Sequence, residues 1–466
     1  MKRNFLPVIG AAVWAAVATS AGAIDFQAEI DRVAVAGGGV VTVPAGRHVT
    51  KGLMLRSNVE LHLEKGAVLE GSPTTNDYPC VHLPCSEGAW MAVVMAIGQD
   101  NVSVTGPGEI YGNGRAFPQP KNYGNLQEGW RPRGLFFCNC TNLRLKGFKL
   151  RDTGCWGCVV QCCKDVEIRG LTIDNHANAN NDGIDIEARN AVIADCDIDA
   201  GDDAVCLKSN NPDFEGGNVL VTNVTARSHC AALKIGTASH GTLKNVLFVD
   251  CRLEAPRRDF PDLRPGVKKP AGAGWFWSEW RAGVFPPSKP DDNLSASAIS
   301  IECVDGGRVE DVTCRNITID GTLAPFFVRG GTRKGRSCGT PPGNQYVLRN
   351  ILFENITGRS LSWNGNSVTG VEGCRVRNVT FRNVSMTFPG GGEAARKYGD
   401  VQIPELAGAG PGTSMFETPL PAFALWARHV DGLVLDNVSI RPEAGTSDLR
   451  KEYVFDDVTD IVRKNP

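Results

Sequence analysis

Residues 190–199 read NAVIADCDID, and residues 165–174 read DVEIRGLTID. In both, apolar side chains stand two apart, a polar pair follows, and two more apolar residues stand two apart. The same phrase recurs in NVLVTNVTA (218–226), NVLFVDCRLE (245–254), DVTCRNITID (311–320), NILFENITG (350–358), NVTFRNVSM (378–386) and GLVLDNVSI (432–440). Upstream, NVSVTG (101–106) and NLRLKGFKL (142–150) fit it as well. Alternation with a period of two is the signature of a strand with one buried face, so each phrase reads strand, bend, strand.

The phrases beginning at 142, 165, 190, 218 and 245 lie 23 to 28 residues apart. A unit of that size cannot bury its apolar face alone and must stack on its neighbours. The chain is therefore expected to be all-β, a right-handed parallel β-helix with one coil per repeat. A leucine-rich solenoid is the rival, but its LxxLxL-N signature is missing. The bend asparagines Asn223, Asn316, Asn355, Asn383 and Asn437 suit a tight turn and are placed to stack into a hydrogen-bonded ladder. FQAEIDRVAVAGG (26–38) reads as a short amphipathic helix ending in glycines, a cap for the N-terminal end of the stack. Three interruptions, 111–133, 255–297 and 387–422, are rich in Gly, Pro and aromatics and are expected to be long loops lining one groove.

Residues 1–23 read as a secretory signal peptide. Lys2 and Arg3 precede the apolar run FLPVIGAAVWAAVA, which is too short to span a bilayer, and Ala21-Gly22-Ala23 supplies a cleavage site. The remainder, 24–466, is predicted to be a single β-helix catalytic domain, secreted or periplasmic, with no membrane segment. The formal charge of −2 becomes −4 without Lys2 and Arg3, which argues against a nucleic-acid partner. Nothing in the sequence calls for an oligomer, and a monomer is expected.

Sixteen cysteines in an exported chain suggest disulfides, with Cys80/Cys85 and Cys155/Cys158 as local candidates. Cys196, Cys251 and Cys314 occupy positions where other repeats carry Leu, Val or Phe, and read as small buried hydrophobes. The group Cys155, Cys158, Cys162 and Cys163 lacks a second CxxC or a paired histidine, so no metal site and no cofactor is predicted.

One stretch concentrates acid. Residues 178–209, NANNDGIDIEARNAVIADCDIDAGDDAVCLKS, carry eight carboxylates in a chain that is otherwise nearly neutral. Adjacent strands lie about 4.8 Å apart, so Asp182 is expected one coil below Asp202 and Asp203. Like charges at that distance raise at least one pKa. One protonated acid beside one ionised base is what glycosidic cleavage needs. Asp195, Asp197 and Asp199 alternate along one strand and read instead as solvated turn residues.

NNDGID (180–185) and GDD (201–203) resemble the N-T-D-G-x-D and [GQ]-D-D motifs of glycoside hydrolase family 28, the polygalacturonase family. RPRGLFFCNCTNLRLKGFKLRD and PLPAFALWARHVDGLVLDNV extend the resemblance over nearly all of the chain after residue 23. The resemblance implies a pectin-lyase-like solenoid and inverting hydrolysis of a polysaccharide. It places the general acid on Asp202, with Asp182 and Asp203 holding and deprotonating the attacking water, and Asn180 among the residues that meet substrate. Inverting chemistry expects acid and base about 6.5–9.5 Å apart.

The sequence departs from the family in two places. G-H-G-x-x-I-G corresponds to CAALKIG (230–236), with Ala231 at the histidine position and His229 two residues earlier. R-I-K corresponds to SIE (300–302), where Ser300 and Glu302 replace the two basic residues. His229 and Glu302 are themselves candidates for binding substrate, and so are other side chains. Lys208 and Lys234 alternate with apolar neighbours and read either as groove cations or as surface lysines. Trp156 reads as cleft floor or as core. GWFWSEWRAG (274–283) offers Trp275, Trp277, Trp280 and Arg281, to stack on sugars and pair a uronate or to pin the loop. The function expected is a secreted inverting hydrolase of pectic polysaccharide, galacturonan or rhamnogalacturonan in type. A β-helix polysaccharide lyase and a non-catalytic carbohydrate-binding β-helix are the alternatives.

Overall fold

The computed structural model describes residues 24–83, 89–117, 131–258, 295–333, 345–408, 412–416 and 418–465. Leu53, Val94, Leu135, Cys158, Ile184, Val205, Leu233, Ile299 and Phe326 stand in one column, each paired in parallel register with the next. Successive coils thus stack the same position of each repeat, as the spacing requires. Among the described residues, twenty-eight strands join into one sheet that winds up the stack, and every pairing within it is parallel. This is the parallel β-helix expected from the repeat.

A second inward column runs Leu61, Val104, Leu145, Ile168, Ile193, Val221, Phe248, Cys314, Phe353, Phe381. Phe353 and Phe381 stack at 4.7 Å and 19°. Cys314 fills one rung of the column, fully buried, as a small hydrophobe would. Each such Leu, Ile or Phe contributes about 1.5–3 kcal/mol by burial, and the stack repeats that gain coil after coil.

The bend asparagines sit in the left-handed region, at φ 51° to 56° for Asn223, Asn316, Asn355, Asn383 and Asn437. Asn is among the few residues that adopt it readily. Their amides form the expected ladder: Asn437 donates to Asn383 at 2.9 Å, Asn383 to Asn355 at 3.0 Å, Asn355 to Asn316 at 3.1 Å, and Asn316 to Asp250 at 2.9 Å. A second ladder, which the repeat alignment passed over, joins Asn245, Asn218, Asn190 and Asp165 at 3.0 Å per step.

The helix Phe26–Val35 covers the N-terminal end of the stack, burying Phe26, Ile30 and Val33. Asp25 caps it, accepting from Ala28 N at 3.0 Å. At the other end, the last strand, Lys451–Lys464, is largely exposed and carries seven charged side chains among its residues KEYVFDDVTDIVRK, which guard an open edge.

The cysteine expectation needs correction. The fourteen described cysteines, Cys155 and Cys158 among them, are free thiols. Cys158 belongs to the main core, whereas Cys155 packs in a separate cluster with Trp90, Phe136 and Trp156, so each serves as packing. Cys80 is exposed and free, and its suggested partner Cys85 lies outside the described residues. Residues 1–23 also lie outside them, as does the larger part of each of the first two loops. No described helix is long and apolar enough to cross a membrane.

Candidate active site

The loop preceding the strand Ile184–Ala194 is fixed by its own asparagines. Asn175 accepts from Thr153 N at 2.8 Å and donates to the Asp182 carbonyl at 2.8 Å. Asn181 donates to the carbonyls of Thr153 at 2.9 Å and Cys155 at 2.8 Å. Gly183 is required by close approach: a Cβ there would stand 2.4 Å from the Ala204 carbonyl oxygen in the next coil. The coils meet directly, Gly183 N donating to Asp203 O at 2.8 Å and Ile184 N to Ala204 O at 2.9 Å. Asp182 is thereby stacked one coil from Asp203, as the repeat predicts.

Asp202 and Asp203 bring carboxylate oxygens within 4.8 Å of each other and of Cys230 Sγ. That is closer than the expected acid–base gap of about 6.5–9.5 Å, because the two residues are adjacent in the chain. Asp182 Oδ1 is buried and accepts no hydrogen bond among the described residues. The trio is also less open than the expected trough: Asp202 is 8% exposed, Asp182 and Asp203 3% each.

Burial splits the carboxylates. Asp202 is pushed up to about 7, first by desolvation and then by the Asp203 charge. Asp182 is raised well above the carboxylate range by desolvation, with Asp185, Asp202 and Asp203 adding to the effect. Desolvation also lifts Asp203, but the charges of Lys234 and Lys208 outweigh it and hold Asp203 below its ordinary value. Lys234 Nζ lies 2.8 Å from Asp203 Oδ2. Burial and ion pairing thus push the two neighbouring carboxyls in opposite directions, Asp202 up and Asp203 down.

Asn180 Nδ2 donates to Asp202 Oδ2 at 3.3 Å, and Arg131 Nη2 donates to Asn180 Oδ1 at 3.3 Å. Arg131 also donates to Gly154 O at 3.1 Å and to the Ala179 carbonyl. Asn180 therefore contacts Asp202 directly. Neither Arg131 nor Cys230 was singled out from the sequence. Both stand at the first position of a quoted motif, RPRG and CAALKIG, and that adjacency was the only signal.

Lys208 and Lys234 do not present free ammonium groups to a groove. Lys208 pairs with the buried Asp185 at 3.2 Å and lies 4.8 Å from the Trp156 ring centroid. Lys234 pairs with Asp203. Both readings offered for them, groove cation and surface lysine, give way to buried counter-ions, because isolated buried carboxylates are too costly to leave unpaired. Asp185, the final residue of NNDGID, and Glu187 are the two carboxylates of this stretch for which the sequence offered no role.

Trp156 packs with Trp90, Phe136 and Val159, and Arg133 lies 3.9 Å above the Trp90 ring and 5.3 Å from Trp156. Its core reading is the one the packing favours. Glu302 is fully buried, accepts from Ser300 at 2.9 Å and lies 4.0 Å from Lys234 Nζ, so it faces protein and is not exposed to substrate. His229 is 2.8 Å from the Arg258 carbonyl and edge-on to His176 at 5.6 Å. Asp199, expected to be solvated, is buried and bonded to His176 Nε2 at 2.9 Å and to Arg257 N at 3.1 Å. Asp195 and Asp197 remain at the surface, the latter held by Arg227 and Arg257. Arg281, Trp275, Trp277 and Trp280 lie outside the described residues.

The fold is a parallel β-helix, and Asp182, Asp202 and Asp203 are gathered on neighbouring coils of it. Residues 40–257 match the model of the glycosyl hydrolases family 28, a likeness that covers just under half of the chain. The chain is 25% identical over 244 residues to a probable polygalacturonase of Vitis vinifera, covering 48% of this chain and 50% of that one. A probable polygalacturonase of Arabidopsis thaliana is 36% identical over 112 residues, 24% of this chain and 23% of the relative. The chain thus spans half or less of the length of these two relatives. Among solved structures, the family 28 exopolygalacturonase of Yersinia enterocolitica superposes with a TM-score of 0.65 at 17% identity, covering 94% of this chain and 76% of that one. That likeness shows the shared β-helix fold.

Proposed function

We propose that the protein is a secreted inverting glycosidase acting on a pectic polysaccharide, with Asp202 as general acid and Asp203 as the base. Asp202, raised to about 7, gives its proton to the leaving glycosidic oxygen. Asp203 takes a proton from the water that attacks the anomeric carbon. The unpartnered Oδ1 of Asp182 and the side chain of Asn180 flank the place where that water and the sugar would sit. The single observation carrying the reading is the pair of adjacent buried carboxylates, Asp202 and Asp203, of which Asp203 is ion-paired to Lys234 at 2.8 Å.

The substrate class follows from the relatives' names and from the missing cations. Ser300 and Glu302 occupy the places of two basic residues, and Lys208 and Lys234 are already neutralised by Asp185 and Asp203. Among the described residues this favours rhamnogalacturonan or a modified galacturonan over plain homogalacturonan. Reducing-sugar release from a panel of pectic fragments tests the class, and proton NMR of the first-formed anomer tests inversion. A lyase would instead yield unsaturated, ultraviolet-absorbing products. Retention of anomeric configuration would overturn the assignment of Asp203 as base.

A further inference from the structure

Lys234 lies in the strand Ala231–Ser239, in register with Cys206 on one side and Ser300 on the other. It is 4% exposed, and its ammonium stands between two carboxylates, Asp203 at 2.8 Å and Glu302 at 4.0 Å. Glu302 is anchored from behind by Ser300 at 2.9 Å. Asp203 accepts from Ala231 N at 3.2 Å, so the same strand supplies both a backbone donor and the cation. Ala231 itself brings only a methyl group to this position.

The geometry points to Lys234 as a positioning residue that keeps Asp203 in the ionised, water-accepting form and leaves the proton of the pair on Asp202. The inference rests on the reading of Asp202 and Asp203 as acid and base. In the step itself, the glycosidic C–O bond breaks as the water oxygen bonds to the anomeric carbon. One water proton passes to Asp203 and the Asp202 proton passes to the departing oxygen. Solvent then takes the one and restores the other. Lys234 touches neither sugar nor water in this scheme; it acts through Asp203.

The groups facing Asp203 are Lys234, Lys208, Asp202, Asp182 and Cys230, with Glu302 behind Lys234. Only Lys234 makes a direct ion pair with it among the described residues. A buried carboxylate that lost this partner would be expected to bind its proton more tightly.

The test compares Lys234→Met, Lys234→Gln and Lys234→Arg with the unmodified protein on whichever pectic fragment it cleaves. The two neutral variants should move the acid limb of the kcat/KM profile upward by at least one pH unit and lower kcat at least tenfold, with KM within twofold. Lys234→Arg should restore most of both. An unmoved acid limb in a folded neutral variant, or a change confined to KM, overturns the proposal. Carboxyl NMR of protein labelled with [13C]aspartate gives a readout that needs no turnover. In the unmodified chain Asp203 should titrate below the ordinary carboxylate range and Asp202 above it, and the neutral variants should raise Asp203. The reverse order in the unmodified chain overturns the proposal even where the neutral variants do not fold. If the order holds and no fragment is cleaved, the fault lies with the hydrolase reading instead.

Discussion

The Asn180 side-chain amide lies 3.3 Å from Asp202 Oδ2, while its own carbonyl oxygen is held by Arg131 at 3.3 Å. An asparagine fixed in this way orients one carboxyl oxygen of Asp202, the residue proposed as general acid. Asp202→Asn keeps the shape and removes the transferable proton. It should lower reducing-sugar release by about 10²–10⁴-fold with an unchanged far-ultraviolet circular dichroism spectrum. Activity within tenfold of the unmodified protein would move the acid to another residue.

The carboxylates give stability a definite pH dependence. Asp202 binds its proton more tightly folded, at about 7, than its ordinary 3.8, so its stabilising contribution is present at low pH and lost as pH rises toward 7. Asp182 acts in the same direction. Asp203 is held low, so its contribution is present above its ordinary value and lost only as pH falls below it. The melting temperature should therefore fall between about pH 4 and 7, and Asp202→Asn should flatten that fall. Identical slopes in the two proteins would contradict the burial of the acid.

Lys208 is expected to matter for stability and not for substrate affinity. Lys208→Met leaves Asp185, which is 1% exposed, without its counter-ion at 3.2 Å. Removing one partner of a buried pair costs about 3–5 kcal/mol, to be read by urea unfolding. A tenfold rise in KM at unchanged stability would return Lys208 to the substrate groove.

The asparagine ladder should be worth more than its surface position suggests. Asn355 has φ of 55°, donates to Asn316 and accepts from Asn383. Asn355→Ala loses both amide contacts and places a Cβ in the left-handed region without compensation, at about 1–2 kcal/mol. Asn355→Gly, free to adopt that φ, should lose less. Equal losses would assign the whole effect to the hydrogen bonds.

Free thiols predict indifference to reductant. With the fourteen described cysteines unbonded, dithiothreitol should shift the melting temperature by less than about 2 °C, since a native disulfide is worth about 2–4 kcal/mol. A larger drop would reveal a bridge.

The β-helix was legible in the sequence because its information is local and repeated. A period of two within each strand, an asparagine at each bend and a coil length of 23 to 28 residues recur often enough to fix the stacking, and stacking alone carries Asp182 to Asp203. What the sequence could not settle is how deep each charged side chain ends. Lys208 and Lys234 alternate with apolar neighbours whether they reach solvent or a buried carboxylate, and Asp199 alternates just as Asp195 and Asp197 do. Only the packing of neighbouring coils placed Lys234 on Asp203, Lys208 on Asp185 and His176 on Asp199. Ion pairing between coils depends on distances across the stack, and desolvation depends on everything packed around a group. Neither quantity is written in the spacing of residues along one strand.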